Sequence, residues 1–347
     1  MRVKKEVICI LLMAMTMLLN ACSSDESGAQ TVTTGEEPVG KQVQLMTYAP
    51  YFTEKEAPRR APSGFTAYTP DKVTDIGIYM LESTTAPYTE NYIRYATKWY
   101  AHFDVDANKT YTVYGYMPKI TGMSSSLSSV TSDGATLTIN GIKPVTADDI
   151  CIITGVKETD TGLKEGQFGW RMENANDNFY MYLLMDHLYA SVKFSLKVSE
   201  EYAQLRTIKL KTMTLKTDKA SVDAQVTLTH NTEGTSPITS VTYNTSTGDN
   251  CAAEIFNDAE GQALSSTTPI AVSACFVPTL SSDLTLFSTY DVYDSKGNLI
   301  RANCEATNKI PNLEASRGQR VQLNMKVDPT YLYVMSDKDL DNLFTIE

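Results

Sequence analysis

The chain has 347 residues and a formal net charge of −11, from 30 Lys plus Arg against 41 Asp plus Glu. Nucleic acid and anionic membrane surfaces both reward clustered positive charge, so this balance argues against either as a partner. Apolar residues make up 42% of the chain, ample for a core, and the length suits two ordinary domains.

Arg2, Lys4 and Lys5 precede an apolar run at residues 7–19 that only Cys9 and Thr16 interrupt. A membrane-spanning helix needs about 20 apolar residues, so this run reads as the h-region of a secretory signal. It ends in Leu19-Asn20-Ala21-Cys22, which resembles a bacterial lipobox. That pattern predicts removal of residues 1–21 and lipidation of Cys22 as the mature N-terminus; the alternative is an ordinary signal with an incidental cysteine. Ser23-Ser24-Asp25-Glu26 resembles the acidic tag that follows the lipidated cysteine of exported surface lipoproteins. Loss of residues 1–21 removes Arg2, Lys4, Lys5 and Glu6, a net +2, and takes the charge from −11 to about −13.

Residues 22–60 read as a tether and one isolated strand. Residues 23–41 are rich in Ser, Thr, Gly and Glu, as a flexible linker is. "VQLMTYAPYF" (43–52) is strand-like, and "TEKEAPRRAPSG" (53–64) is a charged loop carrying Arg59 and Arg60 between two prolines. Thereafter the pattern is period two. "DIGIYMLES" (75–83), "TYTVYGYMP" (110–118) and "ATLTING" (135–141) read as strands bounded by turn residues. "GLKEGQFGWRMENANDN" (162–178) reads as a long loop, and "FYMYLLMDHLYA" (179–190) as the opening of a second run of strands.

That run begins with "SVKFSLKVS" (191–199), in which Val192, Phe194, Leu196 and Val198 alternate with Lys193, Ser195 and Lys197. A sheet with one wet face gives this pattern. "YAQLR" (202–206) suggests a single helical turn. "TIKLKTMTLKT" (207–217) suggests a strand with an irregularity near Thr212. "SVDAQVTLT" (221–229) and "RVQLNMKVD" (320–328) alternate as well. The prediction is an all-β chain of two tandem β-sandwiches, 61–185 and 186–347.

Little in the sequence points to chemistry. His102, His187 and His230 have no neighbouring nucleophile or metal pattern, and His187 reads as a packed or hydrogen-bonded side chain. There is no Gly-x-Ser-x-Gly elbow, phosphate loop or His-Glu-x-x-His. Beyond Cys22, Cys151, Cys251, Cys275 and Cys304 lack zinc-ligand spacing. An exported chain could oxidise the last three to a disulfide, and small buried hydrophobes are an equal reading. Asp337, Asp339 and Asp341 alternate as in a calcium loop, without the glycine and terminal glutamate an EF-hand needs. Charge guarding a strand edge gives the same pattern. No enzyme activity, cofactor or metal is expected.

The order of lipobox, tether, isolated strand, arginine-bearing loop and two β-domains resembles the fimbrillins, the type V pilins of Bacteroidales. "HLYASVKFSLKV" (187–198) is similar to the first strand of their C-terminal domain, and "DPTYLYVMSDKDLDN" (328–342) to their C-terminal end. The resemblance implies transthyretin-like sandwiches and export as an outer-membrane lipoprotein through Cys22. It also implies removal of the N-terminal strand by an arginine-specific protease at the position of Arg59-Arg60-Ala61. The implied function is a structural subunit of cell-surface fimbriae, shaft or tip, assembled by strand exchange with related subunits and supporting adhesion to a host or bacterial surface. A C-terminal strand at 331–344 is the expected donor, with Tyr331, Tyr333 and Met335 seated in successive pockets. Two alternatives stay open: a lipid-retaining fimbrial anchor not cut at Arg59 or Arg60, and a glycan-binding lipoprotein that does not polymerise. Only Trp99 and Trp170 are present to build a sugar-stacking platform.

Overall fold

The structure, a computed structural model, describes residues 42–54, 64–68, 74–95, 99–101, 105–106, 108–171, 178–231, 236–278, 284–311, 313, 315–327 and 344–346. These residues are almost entirely strand, as the alternating sequence predicts. In the first half they form β1 (Gln42–Pro50), β2 (Thr53–Glu54), β3 (Phe65–Ala67), β4 (Thr74–Leu81), β5 (Asn91–Tyr95), β6 (Trp99–Ala101), β7 (Thr110–Lys119), β8 (Ser124–Thr131), β9 (Gly134–Ile142), β10 (Cys151–Lys157), β11 (Gly169–Arg171) and β12 (Asn178–His187). The second half adds β13 (Ala190–Val198), β14 (Arg206–Thr229), β15 (Ile238–Ala263), β16 (Ile270–Ala271), β17 (Cys275–Val277), β18 (Leu284–Asp294), β19 (Leu299–Ile310), β20 (Gln319–Val327) and β21 (Phe344–Ile346). One six-residue helix, α1 (Glu200–Leu205), joins β13 to β14. It starts two residues before the expected turn because the Ser199 hydroxyl accepts from the Tyr202 N–H and caps it.

The first sheet curls on itself. From β7 it passes through β4, β5, β6, β1, β12 and β10, and β10 then pairs with β7 again at Cys151–Met117 and Ile152–Tyr116. Period-two alternation gives this ring an inner and an outer face. Ile76, Ile78, Val113, Ile153, Met181 and Leu183 fill the inside. Tyr79, Tyr114 and Tyr116 face outward, against Leu137, Ile139 and Val226 of a second layer. Where β4 and β7 pair, a Cβ on Gly115 would collide with the Gly77 carbonyl, so only glycine fits this position in the ring.

That second layer is a sheet in the order β19-β18-β14-β9-β8, with β15 on the other edge of β14. β14 is 24 residues long and β15 is 26. The first half of β14 pairs with β18 and the second half with β9. The same sheet therefore covers the outer face of the ring at one end and a third sheet, built on β13 and β20, at the other. The irregularity expected near Thr212 is present: both ladders of β14 skip between Leu210 and Thr212. In β13, Val192, Phe194, Leu196 and Val198 are buried while Lys197 is exposed, as its alternation predicts. The boundary expected near residue 185 falls inside β12, which pairs with β10 and β1 of the ring.

His230, at the end of β14, is packed against aromatic side chains. Its ring stacks on Phe168, and its Nε2 lies 2.7 Å from the Tyr114 hydroxyl. Burial holds its pKa below the ordinary histidine value, against the opposing pull of the Ser132 carbonyl and Asp133. A base with a depressed folded-state pKa binds protons mainly in the unfolded chain, so its contribution is present at neutral pH and lost as pH falls below its unfolded value of about 6.5. His230→Gln should therefore lower Tm at about pH 7.5 and close part of that gap to wild type by about pH 5.5. Parallel Tm-versus-pH curves for the two proteins would contradict this.

Candidate functional site

β1 is bonded along both edges. It runs parallel to β12, from Gln42 opposite Asn178 to Tyr48 opposite Leu184. Its other edge pairs with β6 at residues 43–45 and with β3 at residues 48–50. Val43, Leu45, Thr47 and Ala49 point into the ring, each 5% exposed or less, and the alternate residues Gln44, Met46 and Tyr48 are more open. The Thr47 hydroxyl donates to the Tyr68 carbonyl, and the Tyr68 N–H donates to the Thr47 carbonyl at 2.8 Å. A segment at the N-terminal end of the described chain is thus an internal strand of the ring.

The chain then leaves the ring and is clamped at its exit. The Pro50 carbonyl accepts from His187 Nε2 at 2.9 Å, and Phe52 stacks on the His187 ring at 3.6 Å between centroids. Phe276 flanks Phe52, and the Arg320 guanidinium lies 5.6 Å from its ring centroid. The Thr53 N–H donates to the Gly318 carbonyl, Glu54 meets Arg320 at 3.2 Å, and β2 pairs in parallel with β20. Residues 42–54 are therefore held by the ring and by the sheet that contains β20.

Beneath the clamp lies a group of buried polar side chains. His187 Nδ1 is 2.8 Å from Asp149 Oδ2 and 3.7 Å from Cys151 Sγ. Asp186 accepts from the His187 N–H and from Arg317, whose guanidinium also donates to the His187 carbonyl. Burial alone would lower the His187 pKa; Asp149, the Pro50 carbonyl and Asp186 outweigh it and hold it above its usual value. Burial pushes the Cys151 thiol well up, and Asp149 and Asp186 add to that. Burial also raises Glu165, with Asp186 reinforcing and Arg317 opposing the shift. Cys151 and Asp149 both approach Nδ1 while Nε2 is taken by a main-chain carbonyl. A cysteine–histidine–acid relay needs the thiol and the acid on opposite nitrogens, so this arrangement is not a nucleophilic triad.

The sequence did not group these three residues, because His187 stands 36 and 38 positions from Cys151 and Asp149. Cys151 and His187 face each other only through the β10–β12 register. Cys151, Cys275 and Cys304 are buried and Cys251 is half-buried, as small buried hydrophobes would be. Cys22, Arg59, Arg60, Ala61, Tyr331, Tyr333 and Met335 lie outside the described residues, as do His102, Asp337, Asp339 and Asp341. The segment 55–63 that carries the two arginines runs between Glu54 of β2 and Gly64 ahead of β3.

No family model and no curated protein matches the sequence. Several solved structures are similar to it in chain path. A candidate cell adhesion protein from Bacteroides fragilis aligns at TM-score 0.41 and 10% identity, over 88% of this chain and 96% of its own. One from Bacteroides ovatus aligns at 0.37 and 12%, over 88% and 95%. A fimbrial protein from Bacteroides vulgatus aligns at 0.35 and 12%, over 87% and 97%. At these identities and TM-scores nothing about function passes from those proteins to this chain.

Proposed function

We propose that the chain is the lipoprotein precursor of a fimbrial subunit, carried to the outer-membrane surface on a lipid at Cys22. In this reading residues 42–54 are a removable occupant of the fold. An arginine-specific protease cuts after Arg60, leaving Ala61 as the new N-terminus, or after Arg59, leaving Arg60, and a C-terminal strand of another subunit takes the vacated place. Adhesion then follows from the assembled fimbria. The supporting observation is the position of β1: its core-facing side chains are buried and both its edges are bonded, yet only residues 55–63 tie its exit strand β2 to β3. Removing such a strand uncovers apolar pockets and unpaired N–H and C=O groups, each costing about 1–3 kcal/mol when left buried and unmet. A replacement strand is strongly favoured.

The seats left by β1 bear on how the donor lies. They are shaped for Val43, Leu45, Thr47 and Ala49, all aliphatic or small. Residues 331–336 offer two faces, Tyr331, Tyr333 and Met335 on one and Leu332, Val334 and Ser336 on the other. Leu332, Val334 and Ser336 match the seats in size, so in a donated strand they would form the inward set. In that arrangement Tyr331, Tyr333 and Met335 would take the outward places of Gln44, Met46 and Tyr48, the opposite face to the one the sequence suggests.

The test is the N-terminal residue of the protein recovered from its native cell surface. Free Ala61, or Arg60 where the cut follows Arg59, shifting to lipidated Cys22 when Arg59 and Arg60 are both replaced by Ala, is the expected result. Lipidated Cys22 in the unaltered protein would turn the reading to an anchor, and an unlipidated N-terminus upstream of residue 59 would overturn it.

A further inference from the structure

We propose that Asp149, Cys151 and His187 form a binding site for a divalent transition metal of the zinc class. The site is separate from the strand-exchange reading and stands whether or not residues 42–60 are ever removed. The three donors are a carboxylate oxygen, a sulfur and an imidazole nitrogen, all within 4.8 Å of one another. Zinc takes this mixed O, S and N set at about 2.0–2.3 Å per ligand, whereas magnesium and calcium take oxygen. Strand pairing builds the set: Cys151 opens β10 directly opposite His187 at the end of β12, and Asp149 lies two residues before Cys151.

A further observation points to a missing ligand. Asp149 Oδ1 is buried and has no hydrogen-bond partner, although a buried carboxylate oxygen is normally satisfied. It is the second oxygen of a carboxylate already turned toward the site and is available for bidentate coordination. Nε2 faces the Pro50 carbonyl at 2.9 Å, which can only accept, so Nε2 carries a proton. Nδ1 lies 2.8 Å from Asp149 Oδ2, which also only accepts, so it too carries a proton, and a bound metal would take the place of that proton between His187, Asp149 and Cys151. A metal-bound histidine commonly donates its other N–H to a main-chain carbonyl in this way.

Charge favours the same assignment. Asp149, Asp186 and Glu165 surround the site, and Arg317 is the cation paired with Asp186. A dication bound by one carboxylate, one thiolate and a neutral imidazole adds no net charge to the interior. Binding expels the Cys151 thiol proton and, when His187 enters as imidazolium, its Nδ1 proton, so affinity rises with pH. The metal would also fix the Nε2–H that holds Pro50, and so fasten the exit of β1.

The experiment uses the full chain, stripped with a chelator and titrated with Zn²⁺ alone, with Co²⁺ as the spectroscopic substitute. One zinc per chain is expected, with a thiolate-to-cobalt charge-transfer band in the near ultraviolet. Cys151 is fully buried, so its reactivity is read by peptide mass spectrometry on the unaltered protein in urea near the unfolding midpoint, where zinc should slow its alkylation while Cys251 is unaffected. Cys151→Ser should abolish the band and weaken zinc binding by more than the roughly 10–100-fold that outer-shell changes cost; Cys251→Ser should do neither. Substoichiometric zinc, a cobalt spectrum without the thiolate band, or unchanged alkylation of Cys151 would each overturn the assignment. The last two readings need no variant, so a Cys151→Ser chain that fails to fold leaves the result decided.

Discussion

Cutting the chain at Arg59 or Arg60 and removing the released segment is expected to leave a protein that binds a peptide copied from residues 331–344, with a rise in Tm on binding. Burying one aliphatic side chain of the size of Val or Leu is worth about 1.5–3 kcal/mol, and Val43 and Leu45 both leave buried seats. Main-chain pairing to β12 and β6 adds to this. In the peptide, Leu332→Asp should forfeit that burial and force a charge into the ring, weakening binding by at least 100-fold, since each 1.4 kcal/mol is about tenfold. Tyr333→Ser should cost far less, because an outward residue keeps its solvent. Isothermal titration of the cut protein with the three peptides decides the matter. If Tyr333→Ser is the damaging change, the tyrosine face points inward; if no peptide binds, the strand-exchange reading fails. In the uncut precursor, Leu45→Ala should cost about 2–5 kcal/mol, the usual range for a buried leucine.

Much of this arrangement is written locally, and the part that is not depends on register. The alternation of "VQLMTYAP" announced β1, and that of "SVKFSLKVS" announced β13 with its buried face. Nothing local says that β1 lies parallel to β12 or that β10 returns to β7, because both pairings join residues far apart in sequence. β14 was legible only as two strands, 207–217 and 221–229, since Thr217-Asp218-Lys219-Ala220 has turn-like composition. The chain runs straight on instead, absorbing those residues as register shifts against β15 on either side of Lys219. Bulges restore the phase of the buried face without turning the strand. The Asp149, Cys151 and His187 cluster was hidden for the same reason: ligand spacing rules capture neighbours on one strand or helix, and here the third donor comes from across a ladder.

The continuity of β14 and β15 leads to the second large effect, in which a substitution in the C-terminal half unfolds the ring. Leu215 is fully buried among Leu210, Met213, Leu284 and Leu286, in the core of the C-terminal half. Val226, eleven residues on along the same strand, is buried against the outer face of the ring. β15 accompanies β14 throughout, with Ile255 in one core and Val241 packed against the other. If each half were held by its own elements, Leu215→Ala would cost its half about 2–5 kcal/mol and leave the other untouched. A shared central pair of strands forbids that, because freeing the first half of β14 strips the second half of its fixed partner and reopens Leu137 and Ile139 to water. Leu215→Ala should therefore lower the urea midpoint of both halves equally. Trp170, 1% exposed in the ring, reports one half by its fluorescence; Cys275 and Cys304, buried in the other core, report theirs by thiol labelling. Coincident curves that shift together would identify one cooperative unit. A Trp170 transition that stays in place while the thiols become reactive earlier would show that the bulges around Lys219 uncouple the two cores.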